Sequence, residues 1–78
     1  MVLGIAKVVD VQGVFCPGPV LKARQEIEEL APGEMMEILA TDPAAEADLP
    51  AWAKWAGHQV VAIEKRDGLI RVLIRKGG

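Results

Sequence analysis

Along the stretch GIAKVVDV (residues 4–11) apolar and polar positions alternate, as they do in a half-buried strand. Ile5, Val9 and Val11 fall on one face and Ala6 and Val8 on the other. Gly13 then permits a turn. From Pro17 to Leu30 the period lengthens. Val20, Ala23, Ile27 and Leu30 recur at spacings of three and four while RQEIEE is polar on its outer side, which predicts an amphipathic helix. The segment APG (31–33) stops that helix, because Pro32 cannot continue it and Gly33 tolerates a left-handed turn. EMMEILAT (34–41) alternates again, with Met36, Ile38 and Ala40 on one face. A loop through DPAAEA leads into a second helix with the stripe Leu49, Trp52, Ala53 and Ala56. Pro50 suits only a first turn, so this helix is expected to start near Asp48 as N-cap and to end at Gly57. QVVAIEKRDGLIRVLIRK is read as two alternating strands about Asp67-Gly68, a strong hairpin signal.

The expected order is therefore β-α-β-α-β-β, and residues 1–78 are expected to form a single domain. The predicted fold is a two-layer α/β sandwich, a four-stranded mixed sheet with both helices on one face. The first strand–helix–strand unit should be a right-handed parallel crossover. Parallel first and second strands end at the same sheet edge. That places Asp42 and the start of the second helix on the side of VFCPGPVL (14–21), where the chain's only cysteine, Cys16, sits between a short apolar lead and two prolines flanking a glycine.

Composition narrows the function classes. About half of the chain is hydrophobic (51%), which suits a compact globule. One cysteine allows no internal disulfide framework and fits a reducing, cytoplasmic compartment. One Cys and one His cannot build a Cys₄ or Cys₂His₂ zinc site. The net charge of −2 and pI near 5.3 argue against a surface that grips phosphate backbones, although Arg71, Arg75 and Lys76 form a short basic patch. The apolar start is broken by Lys7 and Asp10 and reads as a strand, and no stretch approaches membrane-spanning length.

Cys16 is the candidate for chemistry. With Pro17 at the first helical position, Cys16 would occupy the N-cap, and Pro19 would remove a further donor. Gly13, Pro17, Gly18 and Pro19 would then shape the site. Among residues 17–19 only Gly18 keeps a backbone N–H, and without a side chain its amide should be approachable. The positive end of the helix favours an anion such as a thiolate or persulfide. Asp10, Asp42 and Asp48, at the same edge, would disfavour it. The sequence does not rank these two effects, and the plain alternative is that Cys16 is a buried small hydrophobe. CPGP lacks the resolving thiol of a dithiol exchanger. His58 is expected at the opposite end, which leaves no base beside the thiol for hydrolysis.

DVQGVFCPGPVLKAR resembles the signature of the TusA/SirA-like sulfur-carrier family: an Asp, a Gly three residues on, then Cys-Pro-X-Pro opening a helix. GEMMEILATDPAAEADLPAW is similar to that family's strand, Asp-Pro loop and Asp-(Ile/Leu)-Pro, and LIRVLIRKGG to its closing strand. Thr41 departs from the pattern, since many members carry a second Asp before the Asp-Pro. The resemblance implies a persulfide carried on Cys16, accepted from a cysteine desulfurase or rhodanese-like donor. It implies onward transfer to an acceptor protein in tRNA thiolation, molybdenum-cofactor assembly or sulfur oxidation, with no metal or organic cofactor. A monomer that docks on other proteins is expected, with Asp10, Leu21, Arg24, Asp42 and Trp55 as candidate partner-binding residues.

Two rivals come from other classes. The RKGG ending raises a C-terminal Gly-Gly thiocarboxylate carrier, but those folds begin with a hairpin, and terminal glycines are most simply frayed. A regulatory or RNA-binding module is suggested by likeness of shape to the C-terminal domain of a bacterial translation initiation factor, against which the acidic pI speaks. Trp52 falls on the apolar stripe and is expected in the core. Trp55 lies off it, with a core position still favoured over an exposed anchor. Asp42 is read as a cap of the turn before the second helix or as a partner contact.

Overall fold

The computed structural model describes residues 4–15 and 17–77; Cys16 and Gly78 lie outside the described residues. Its elements follow the expected order: β1 (Ile5–Val11), α1 (Gly18–Ile27), β2 (Met35–Ala40), α2 (Ala45–Trp55), β3 (Gln59–Arg66) and β4 (Leu69–Arg75). The sheet runs β1-β2-β4-β3, with β1 parallel to β2 and the other neighbours antiparallel. Asp67 and Gly68 both take positive φ, at 51° and 81°, as a two-residue hairpin turn of matching twist requires.

The alternation read from the sequence becomes rows of side chains across one sheet face. Val9, Ile38, Val72 and Ile63 form one row, and Val11, Ala40 and Ile70 form the next. Ala23 and Ile27 of α1 and Ala45, Leu49 and Ala53 of α2 close over them, so both helices share that face and one cluster forms the core. Each large side chain fully buried there contributes about 1.5–3 kcal/mol. Two rows end in a lysine at a sheet edge, the Met36–Ile74 row at Lys7 of β1 and the Ala40–Ile70 row at Lys65 of β3. Lys7 bonds Glu26 of α1 and Glu29 just beyond it, both at 2.6 Å, and Lys65 reaches Glu46 of α2 at 3.4 Å. Charged ends of this kind discourage pairing of the exposed edges with another chain.

Three expectations need correction. Ile5 does not join Val9 and Val11. The register shifts between Ile5 and Lys7, which pairs Ile5 with Met35 and leaves it exposed. The second helix starts at Ala45, not near Asp48, and Pro50 lies inside it. Its first turns are tight, with Ala45, Glu46 and Ala47 N–H bonded to the carbonyls of Asp42, Pro43 and Ala44 before Asp48 N–H reaches Ala44 O at 2.9 Å. Burial of Ala45, Leu49 and Ala53 at spacings of four offsets the bond lost at Pro50. Ala56, assigned to the stripe, is exposed beyond the last helical turn. No helix among the described residues is long and apolar enough to cross a membrane.

Candidate functional site

The site is built where β1 and β2 end together. The ladder closes at Val11 opposite Ala40. Beyond it the chain turns: Gln12 N–H donates to Asp10 Oδ1 at 3.0 Å and Val14 N–H to Val11 O at 3.1 Å. Gly13 has φ +81°, a conformation that strains other residues, and its N–H donates to Thr41 Oγ1 at 2.8 Å. Phe15 then projects into solvent, 76% exposed, immediately before Cys16.

The helix start differs from the expected one. The N-cap is Pro17, with φ −90° and ψ 13°, and α1 begins at Gly18, with Pro19 buried. Gly18 N–H turns back to donate to Phe15 O at 2.7 Å, and Leu21 N–H donates to Pro17 O at 3.0 Å, an α-helical bond. The approachable Gly18 amide expected from the sequence is therefore engaged, and it is not a free donor for an anion. Glycine is still needed there for another reason, since a Cβ on Gly18 would collide with Val14 Cγ1. The residues on either side of position 16 therefore combine backbone geometry, in the positive φ of Gly13 and the buried Pro19, with the engaged amides of Gly13 and Gly18. Cys16 itself lies outside the described residues.

The candidate partner-binding residues separate into two groups. Asp10 and Asp42 stand at the strand ends beside the turn, and Asp42 Oδ1 accepts from Ala44 N–H at 3.1 Å as the expected local cap. Leu21 and Arg24 of α1 share an open groove with Trp55 of α2. Trp55 is 87% exposed, so the core position favoured for it is wrong. The buried side of α2 is set by Ala45, Leu49 and Ala53, and Trp55 lies well round the helix from Ala53. It also stands at the far end of α2, on the order of 15 Å along the axis from the helix start. Phe15 and Thr41 were not recognised as site residues from the sequence. The signal for Phe15 was an apolar pair, Val14-Phe15, that belongs to no strand or helix face; for Thr41 there was none.

The opposite end holds His58, as expected. Its ring lies 5.4 Å from that of Trp52, and its Nδ1 accepts from Gly77 N–H at 3.0 Å. Burial, with the nearby Lys76 ammonium, lowers the His58 pKa, while Glu28 pulls the other way. Gly77 is consequently not frayed, and a Cβ on it would strike the Gly57 carbonyl. The basic patch is spent on internal contacts: Arg71 pairs with Glu37 and Glu64, and Lys76 Nζ donates to Leu30 O at 2.7 Å. Among the described residues no group of three His, Cys, Asp or Glu side chains could hold a metal ion.

The class that the fold and site define is a two-layer β-α-β-α-β-β domain with the sequence Cys-Pro-Gly-Pro between its parallel strands. The family model described as sulfurtransferase TusA matches residues 7–76, and the chain belongs to that family. It is 34% identical over 74 residues to the sulfur carrier protein TusA of Pseudomonas savastanoi pv. phaseolicola, covering 95% of this chain and 88% of that one. YrkF of Bacillus subtilis is 42% identical over 71 residues, 91% of this chain but only 38% of the length of YrkF. The crystal structure of a SirA-like protein from Desulfitobacterium hafniense superposes with TM-score 0.79 at 30% identity, covering 92% of this chain and 99% of that one. The name of the Pseudomonas relative supports a sulfur-carrier role here.

Proposed function

We propose that this chain carries sulfane sulfur as a persulfide on Cys16. The observation that carries the reading is that the family match spans CPGP, whose neighbours form a tight turn behind the exposed Phe15. In the proposed step the Cys16 thiolate attacks the outer sulfur of a donor persulfide, R–S–SH. The donor S–S bond breaks, its electron pair leaves on R–S⁻, and the new bond gives Cys16–S–SH, so no outside oxidant or reductant is needed. The same exchange in reverse sense delivers the sulfur to an acceptor thiolate.

The donor in this reading is a cysteine desulfurase or a rhodanese-like protein, and the acceptor belongs to tRNA thiolation, molybdenum-cofactor assembly or sulfur oxidation, in the cytoplasm. Docking uses the apolar lip of Phe15 and Leu21 with Arg24 and Trp55 along the groove, and Asp10 and Asp42 at the strand ends. Exposed aromatics beside a cation are the residue types that anchor protein interfaces. Pairing of Arg71 with Glu37 and Glu64, together with the net charge of −2, favours a protein partner over a nucleic acid.

The test is incubation with a desulfurase and cysteine, followed by intact mass with and without a thiol reductant. The expected result is a gain of one sulfur that reductant removes and that Cys16→Ala lacks. Sulfinic acid adds nearly the same mass but resists the reductant. An unchanged mass with several desulfurase and rhodanese donors would overturn the reading in favour of a regulatory or partner-binding module.

A further inference from the structure

Thr41 is the first residue beyond β2, and its hydroxyl accepts from the Gly13 N–H across 28 positions of sequence, at 2.8 Å. The backbone ladder between β1 and β2 has already stopped at Val11 and Ala40, so this bond ties the strands together one step further, through a side chain. A Cβ at Gly13 would find no atom within 4 Å, so its left-handed φ, not a close contact, calls for glycine. Three hydrogen bonds hold the turn, from Gln12 N–H to Asp10 Oδ1, Gly13 N–H to Thr41 Oγ1 and Val14 N–H to Val11 O, and the turn leads into Phe15. We propose that Thr41 is a positioning residue for sulfur transfer: by holding the Gly13 amide it fixes the turn from which the chain runs through Phe15 towards Cys16. The proposal rests on the Cys16 reading above.

A hydroxyl suits the task because it accepts from the amide without adding a further negative charge to the end of the sheet where Asp10 and Asp42 already stand. Thr41 is exposed and belongs to no core row, so the fold does not depend on it.

The experiment compares the full chain with Thr41→Val, Thr41→Ala and Thr41→Ser. It follows single-turnover loading by a persulfidated desulfurase over a range of donor concentrations, and amide hydrogen exchange at Gly13. Valine and alanine should both slow loading at saturating donor by about three- to tenfold, the range of one net hydrogen bond, with half-saturation unchanged and Gly13 exchange accelerated. Serine should restore both readouts. Wild-type loading by the valine and alanine variants, despite accelerated Gly13 exchange, would overturn the proposal. So would a defect confined to half-saturation, which marks a partner contact, or a serine variant as slow as valine. A wild-type chain that takes up no sulfur would instead overturn the carrier reading beneath it.

Discussion

The two ends of the sheet are built on different terms. At the end where β1 and β2 start, Gly33 N–H bonds Lys76 O, Lys76 N–H bonds Glu34 O, Lys76 Nζ bonds Leu30 O and Gly77 N–H bonds His58 Nδ1. There Trp52 lies against the core and its ring meets that of His58. At the end where β1 and β2 finish, short turns are held by local hydrogen bonds and the link from Gly13 to Thr41, and Val14, Phe15 and Leu21 face solvent. One end spends its side chains on closing the fold, with Trp55 the exception on its outer face. The other leaves apolar surface uncovered around position 16, at a cost in burial that the rest of the core must offset. Stability and transfer should therefore separate by location.

The largest expected effect falls on the closed end. Ile74→Ala removes a fully buried side chain from the row that includes Met36 and should cost about 2–5 kcal/mol in urea unfolding. Its folded fraction should still load sulfur at the wild-type rate. Gly77→Ala forces a Cβ onto the Gly57 carbonyl and should cost about 1–3 kcal/mol, again without a loading defect. A transfer defect in either folded variant would break the separation.

Phe15→Ala tests the open end. It should change unfolding free energy by no more than about 0.5 kcal/mol, as for other exposed positions, yet weaken donor-dependent loading by about fivefold or more. Equal loading would mean that the exposed aromatic takes no part in docking. A smaller effect is expected from pH. His58 in the folded chain holds its proton less tightly than at its ordinary value of 6.5, chiefly through burial. Acid therefore favours the unfolded chain: stability is full above pH 6.5 and falls as pH drops through the lowered folded value. Unfolding curves from pH 7.5 down to about 5 should show this slope, and His58→Gln, which keeps an acceptor for Gly77, should flatten it. Smallest of all should be Lys7→Gln. Its surface pairs with half-buried Glu26 and exposed Glu29 raise the Lys7 pKa, and the former lowers that of Glu26; high salt should shrink whatever difference the substitution makes.

Much of the fold was legible because its periodicities are local. Val9, Val11, Met36, Ile38 and Ala40 alternate in the sequence and are buried in the structure, and Asp67-Gly68 marks a hairpin by backbone preference alone. The candidate thiol was legible for a similar reason, since a lone cysteine between prolines is visible in any reading of the chain. Site geometry was less so. The start of α1 moved from Pro17 to Gly18 because the Gly18 amide found the Phe15 carbonyl, a choice between two neighbouring turns that composition does not decide.

By itself the sequence determined the order of elements, the alternating faces of β1 and β2, the hairpin, and the position of the one cysteine on which the proposed chemistry rests. These depend on side-chain spacing and on intrinsic φ preferences, which neighbours along the chain settle among themselves. Only the tertiary structure decided that α2 runs through Pro50, that Ile5 leaves the core at a bulge, that Trp55 faces outward, and that Thr41 holds Gly13. Each of those outcomes balances a local preference against a contact made by a distant residue. Spacing along one chain carries no record of which distant residue that will be.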